Sequence, residues 1–366
     1  MLLRAIALLL LLSSLAAAEV HEESTTLHEE STAVHEESKS YPYIHHEGQI
    51  QIQFNDGELG SAKKGGFKPA NNGLADFLAS DRIFVRRFRP TWKLYLSPEV
   101  HFDTEFNIDT YQKKVDILDL LVNYDFSEET SLSVGRYKVP FGWEGFESSR
   151  LINTVARSDA TVFLYPERDV GISVQHDQQG LGDFRLGAFL GQPRSSGDAN
   201  GSADLIGRAS FSVSDSLSVG ASGHLGSFRP TGSGTDIPVR RAGLELQWDK
   251  EPFQFESEVL WSDGYNVASK GDTKAFGYYF YTIFRLAQPL DLVLGYDRFD
   301  PDTNSVNALQ ADNATNARDR KLIGLNYYLS RETPVHRVML NYEIRQSLEG
   351  YPLDSSGVRV RYQIGW

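Results

Sequence analysis

Residues 87–109, RFRPTWKLYLSPEVHFDTEFNID, decide the fold. Before the Ser97-Pro98 break, Phe88, Trp92, Leu94 and Leu96 fall on one face of an extended chain, and Arg87, Arg89, Lys93 and Tyr95 on the other. After it, Val100, Phe102, Phe106 and Ile108 alternate with His101, Asp103, Glu105, Asn107 and Asp109. Successive side chains of a strand point to opposite sides, so a period of two marks two strands, each with one apolar and one polar face. The break between them is a tight turn.

The same period runs outward in both directions. GQIQIQF (48–54) sets Gln49, Gln51 and Gln53 against Ile50, Ile52 and Phe54. The last nine residues, VRVRYQIGW, set Val358, Val360, Tyr362, Ile364 and Trp366 against Arg359, Arg361 and Gln363. Between these ends the pattern predicts sixteen strands, the first over 48–54 and the last over 355–366. Tight turns such as Ser127 to Glu129, Asp215-Ser216 and Gln288-Pro289 alternate strictly with longer connections, notably 55–81, 139–167, 191–202, 229–238, 264–273 and 301–318. A soluble sandwich would also alternate apolar with polar residues. Aromatic residues flanking the apolar faces, an even strand number and the two classes of connection favour an all-β, sixteen-stranded antiparallel barrel of an outer membrane. Pairing the last strand with the first satisfies every backbone hydrogen bond, which lipid cannot do. Trp366 supplies the terminal aromatic residue usual in such chains. With both termini in the periplasm, the long loops face outward.

Composition agrees and removes other classes. The 366 residues include 17 tyrosines, 21 phenylalanines and 31 glycines, the mix of aromatic strands joined by glycine turns. There is no cysteine, so no disulfide, thiol nucleophile or thiolate metal site. A net charge of −13 argues against a nucleic-acid partner. Residues 1–18 carry Arg4, a leucine-rich run and Ala16-Ala17-Ala18, the three parts of a removed signal peptide. No later window of about 20 residues is apolar, which excludes a spanning helix.

Residues 19–47 are different material. HEESTTL, HEESTAV and HEESKSY repeat from His21 at seven-residue spacing. This is either a disordered acidic periplasmic tail or a short coiled coil with Leu27, Val34 and Tyr41 as its thin seam. His21, His28 and His35 would lie about 10 Å apart on one helix, too far to share an ion; three chains could stack them in layers, but solvated histidine is expected and no metal is assigned. The pore domain is then 48–366, and no cofactor is implied.

The 139–167 connection, VPFGWEGFESSRLINTVARSDATVFLYPE, is too apolar for a loop in water. Phe141, Trp143, Phe146, Leu151, Ile152 and Phe163 need a surface to cover them, and the barrel interior is the available one. Here VGRYKVPFGWEGFESSR (134–150), YPERDVGISV (165–174) and RRFRPTWKLYLSPEVHFDTEFN (86–107) together resemble the phosphate-selective porin O/P family. The resemblance extends more loosely over the chain after Gly48. It implies a trimeric porin with its third external loop folded inward and basic residues that guide anions.

The candidate anion track follows from parity and from that loop. Arg87, Arg89 and Lys93 share the polar face of the second strand, while Arg150, Arg157 and Arg168 belong to the inward loop or its exit. Arg136 and Lys138 share the parity of lipid-facing Leu132 and Val134, and a bulge near Gly135 would turn them inward. Arg337, Arg345, Arg359 and Arg361 fit the lumen by parity further around the wall, and Arg86 falls on an apolar face as if for a protein contact. Asp103, Glu105, Asp109, Asp119 and Asp125 are the acids expected to oppose these cations.

The function expected is passive diffusion of small hydrophilic solutes and ions, with selectivity set by the charges lining the pore. No lysine-rich cluster marks a dedicated phosphate site, so a general or weakly selective pore is preferred to a phosphate-specific one. The alternative is a structural sheath around a periplasmic electron carrier, whose haem would be the partner's because the chain lacks CxxCH. An enzyme is not expected. His101, His176, His224 and His336, the histidines after Gly48, lie in no nucleophile motif, and GxSxG is absent.

Overall fold

The protein is described from a computed structural model that covers residues 40–57, 82–110, 113–191, 200–229, 234–266, 272–303, 317–332, 335–348 and 355–366. The signal-peptide reading of 1–18, most of the heptad tail with His21, His28 and His35, and the bulk of the 55–81 connection lie outside the described residues.

Sixteen strands form one closed antiparallel barrel in which each strand pairs with its sequence neighbours and the last with the first. They are β1 (Tyr43–Gly57), β2 (Arg82–Tyr95), β3 (Val100–Asp109), β4 (Lys114–Asp125), β5 (Thr130–Lys138), β6 (Arg168–Gln178), β7 (Gly182–Phe189) and β8 (Asp204–Ser214). The second half comprises β9 (Leu217–Phe228), β10 (Ile237–Lys250), β11 (Phe253–Asn266), β12 (Asp272–Ala287), β13 (Leu290–Asp300), β14 (Arg318–Ser330), β15 (His336–Ser347) and β16 (Ser355–Gly365). Two short helices, α1 (Trp143–Phe146) and α2 (Asp159–Leu164), lie in the β5–β6 connection.

The first strand starts at Tyr43, five residues before the alternation becomes legible at Gly48, so His45 and His46 also belong to the barrel. Strict alternation of short and long connections fails once, at β3–β4, where only residues 110–113 intervene on the side of the long loops.

Closure is made by the register Gln49–Gly365 through Gly57–Gly357. Beyond it, Gly48 N–H donates to Trp366 O (2.9 Å) and Trp366 N–H to Gly48 O (3.1 Å). The Trp366 ring lies over Gly48 and stacks on Phe88, with ring centroids 5.8 Å apart.

The burial pattern is inverted relative to a water-soluble sheet. Gln49, Gln51, Gln53 and Asn55 face the interior at 3% exposure or less, while Leu120, Val122, Val134, Ile172, Leu244 and Ile323 stand exposed on the outer wall. Such a continuous apolar exterior is unfavourable in water and favourable in hydrocarbon. Aromatic side chains ring the short-turn end, with Tyr124 against Phe126, Phe184 against Phe211, and Phe253 against Phe284. Phe280, Tyr296 and Tyr278 form the matching contacts toward the long-loop end.

The 139–167 segment runs through the barrel interior and is bonded to strands on the far side. Gly142 N–H donates to Ser222 Oγ of β9, and Trp143 N–H to Glu258 Oε1 of β11 (3.0 Å). Val155 N–H donates to Asn341 Oδ1 of β15, and Asn326 of β14 donates to Asn153 O. Phe141, Ala160 and Leu164 pack on Phe189, Ile206, Leu260, Ala275 and Phe299, inward-facing apolar residues of β7, β8 and β11–β13. Trp143 packs on a second cluster around Tyr279 and Tyr281. Ile152 is also buried, whereas Leu151 remains 47% exposed and takes no part in this packing.

Candidate pore-lining site

The segment is bonded to β9, β11 and β13–β15 and, through Ser149 and Arg150, also to Gln51 of β1 and Gln363 of β16. The spaces left open lie between it and the wall formed by β16 and β1–β7. Toward the long loops, one space is a cavity lined by Arg86, Arg87, Arg89, Arg136, Lys138, Arg157, Arg168, Arg359 and Arg361. Among the described residues, only Asp109, Asp116 and Glu167 line it with negative charge. Toward the short turns, a second space is lined by Glu47, Asp103, Glu105 and Asp119 with Lys93, Lys138 and Arg185. Lys138 borders both. The sign of the wall therefore changes along the barrel axis, from strongly basic to mixed.

Register explains why these side chains meet. Gln49–Arg89 and Gln51–Arg87 are paired across β1–β2, so both arginines share the inner face of the glutamines. Arg87 Nη1 donates to Gln51 Oε1 (2.7 Å), and Arg89 Nε to Asn107 Oδ1 (3.0 Å). Arg86 is not lipid-facing as its parity implies. A register shift after Gln51 inserts an extra residue in β2, and Arg86 turns inward to Asp109 at 2.7 Å. The consecutive arginines of IFVRRF, where alternation falters, were the available signal for that bulge.

Arg136 and Lys138 reach the cavity by a different device from the bulge expected. The β5–β6 register passes unbroken through Gly135–Gly171. Gly135 instead takes φ 142°, and β4–β5 pairing ends one residue later, at Leu120–Arg136. The end of β5 thus parts from β4, and Lys138 Nζ donates to the carbonyls of Phe146 (2.8 Å) and Glu147 (2.7 Å) in the inward segment.

Arg157, within that segment, donates to the carbonyls of Glu144 and Glu147. Burial lowers its pKa from the ordinary guanidinium value, with Arg168 adding like-charge repulsion. Arg168 forms two bonds to Asp119 (2.7 and 3.2 Å) and one to Glu105 (3.1 Å).

Six of the eight candidate cations, Arg87, Arg89, Arg136, Lys138, Arg157 and Arg168, are thus brought to one cavity. Lys93 and Arg150 are not. Both approach Glu47, at 3.5 and 3.3 Å, on the side of the short turns. Arg359 and Arg361 join the cavity as their parity implies, whereas Arg337 and Arg345 are covered by the segment and hold it. Arg337 Nη2 donates to the carbonyls of Arg150 and Ile152, and Arg345 Nη1 to Asp159.

Of the acids expected across the pore, Glu105, Asp109 and Asp119 lie on strands beside the arginines and pair with them laterally, as in Arg86–Asp109 and Arg89–Glu105 (3.7 Å), whereas Asp103 and Asp125 lie beside His101. Among the described residues, Arg87, Arg136, Lys138 and Arg157 form no salt bridge; the carboxylates of Asp169, Glu105 and Glu144 act on the last three only without direct contact. No group of three histidine, aspartate or glutamate side chains arranged to hold a metal ion occurs among them either.

Helix α2 carries the other charged anchor. Ser158 Oγ accepts from Thr161 N–H and caps the helix. The Asp159 carboxylate accepts from Arg345 at 2.8 and 2.9 Å and lies 3.0 Å from Arg318 Nε. Burial opposes its charge, but Arg345, Arg318 and Arg320 outweigh that and hold its pKa well below the usual carboxylate range.

A family model for phosphate-selective porin O and P matches residues 88–349, well over half of the chain. Comparison with curated proteins gives no match. Among solved structures, the outer membrane channel DcaP of Acinetobacter baumannii is similar at a TM-score of 0.65 and 12% identity, covering 88% of this chain and 97% of that one. An anion-selective porin from Comamonas acidovorans gives 0.60 at 12% identity over 88% and 99% of the two chains. OmpF of Salmonella typhi, in complex with daunomycin, gives 0.57 at 11% identity over 88% and 98%. At these identities the likeness is one of fold.

Proposed function

The chain belongs to the phosphate-selective porin O and P family and is an integral outer-membrane channel for small solutes; from that premise we propose that it passes anions in preference to cations. One observation carries the reading. Arg87, Arg136, Lys138 and Arg157 line a single cavity and form no salt bridge among the described residues. Fixed charge of one sign beside a low-dielectric wall raises the local concentration of the opposite ion. The inward segment acts as the constriction in this reading, with Lys138 at the passage between the basic cavity and the mixed space below.

The preference is general rather than a dedicated phosphate site. Eight of the nine cavity cations are arginines, and acids follow directly along the axis. The segment occupies the space that a sheathed partner would need, so we favour the channel over the sheath; the non-enzymatic role follows from the family. Export through the 1–18 signal and assembly as a homotrimer in outer-membrane lipid complete the proposal. Zero-current potentials of the refolded protein in a tenfold potassium chloride gradient test it. Anion-favouring potentials are expected, weakened stepwise by Arg87→Gln and Lys138→Gln. A cation-favouring potential would reject the reading.

A further inference from the structure

The basic cavity has two chemically distinct parts. Arg87 and Arg89 of β2 with Arg359 and Arg361 of β16 give one charged stretch of its wall. The half-buried Leu118 of β4, with Ala156, Val162 and Tyr165 of the inward segment, give an apolar stretch.

Neither apolar contribution follows from simple alternation. β3–β4 pairing shifts between Glu105 and Phe106, from Glu105–Asp119 to Phe106–Ile117, and leaves Leu118 as the extra residue lining the lumen. On α2, Ala160 and Leu164 are packed away, while the half-buried Val162 lines the cavity. A channel for fully hydrated ions has no use for these side chains beside its cations. Inorganic anions gain nothing from apolar surface, and water against it is unfavourable.

The arginines add chemistry of their own. A guanidinium presents a planar fork that matches a carboxylate, where an ammonium offers a point charge. Arg87 spends Nη1 on Gln51, and its Nε has no hydrogen-bond partner.

We propose that this cavity is a subsite for small amphiphilic organic carboxylates, with the carboxylate on Arg87 and its neighbours and the aliphatic or aromatic body on Leu118 and Val162. The proposal rests on the anion-preferring reading and narrows it to a solute class. Full burial of one methylene corresponds to about a fourfold gain in affinity, so half-burial against this wall gives about twofold.

The test is block of single-channel chloride current in the refolded full-length protein by acetate, butyrate, hexanoate, benzoate and inorganic phosphate, each titrated separately. The half-blocking concentration is expected to fall about twofold per added methylene from acetate to hexanoate, with benzoate blocking below phosphate. Leu118→Asn/Val162→Asn is expected to bring the hexanoate-to-acetate ratio toward one. Block that is the same for acetate and hexanoate, under an anion-favouring reversal potential, would overturn the subsite and leave the anion preference standing. A cation-favouring potential would overturn both. The chain-length series needs only the wild-type protein, so the proposal stays testable even where the double variant does not fold.

Discussion

Replacing Asp159 by alanine should release the far end of the inward segment while leaving the barrel intact. The carboxylate is 4% exposed, accepts two short bonds from Arg345 and approaches Arg318 at 3.0 Å. Removing one partner of a buried ion pair costs about 3–5 kcal/mol, because the remaining charge stays buried without compensation. Here the lower end applies. Arg345 retains Glu343 at 3.5 Å, and Arg318 retains the Phe163 ring at 4.4 Å. About 3 kcal/mol shifts the docked-to-released ratio of the segment roughly 100-fold. Where cleavage follows the open population, proteolysis within 139–167 should accelerate by about that factor. The assay is limited proteolysis of the folded protein in detergent, with heat-modifiable gel migration as the barrel control and single-channel noise as a second readout. Wild-type cleavage and noise in an Asp159→Ala protein with an intact barrel would refute the reasoning.

Two further outcomes follow from the same geometry. Because the folded-state pKa of Asp159 is depressed, its contribution is complete above the ordinary carboxylate range, about pH 4, and is lost as pH falls through the lower folded value. Wild-type channel noise should therefore be constant from pH 7 to about 5, and the difference from Asp159→Asn should vanish only in stronger acid; a difference that vanishes near neutrality would contradict the clasp. Gly135→Val should sharply reduce the refolded fraction seen by heat-modifiable migration. At φ 142° a β-branched residue costs at least about 1–3 kcal/mol, and its Cβ would also overlap the Leu120 carbonyl; normal refolding yield would show that the parting of β4 and β5 does not depend on glycine.

The barrel was legible because its information is local. Side-chain period, turn residues and the aromatic ends of strands can all be read within ten residues. Pattern and turn residues place strands at 130–138, 168–178, 217–228 and 290–300, and β5, β6, β9 and β13 have these limits. The start of β1 was obscured because Tyr43 to Glu47 carries polar residues on both faces, with His46 facing outward beside His45 and Glu47. Arg86 and Leu118 were misplaced or unplaced for one shared reason. Each is the extra residue at a register shift, and a shift is a property of two strands together.

What the sequence determined alone was the closed sixteen-stranded barrel, its lipid-facing and lumen-facing sides, and the apolar segment that water could not host. Only the tertiary structure decided which cations share a cavity. Arg87 and Arg157 are 70 positions apart, and Arg361 comes more than 200 later, so their proximity depends on closure of β16 on β1 and on where the segment crosses. It also decided the pairing of charges. Parity tells which face an acid or base occupies, but height along the barrel and the partner strand determine whether Arg89 finds Glu105 or Lys138 finds only carbonyls. Electrostatic preference depends on those distances, and a one-dimensional pattern does not contain them.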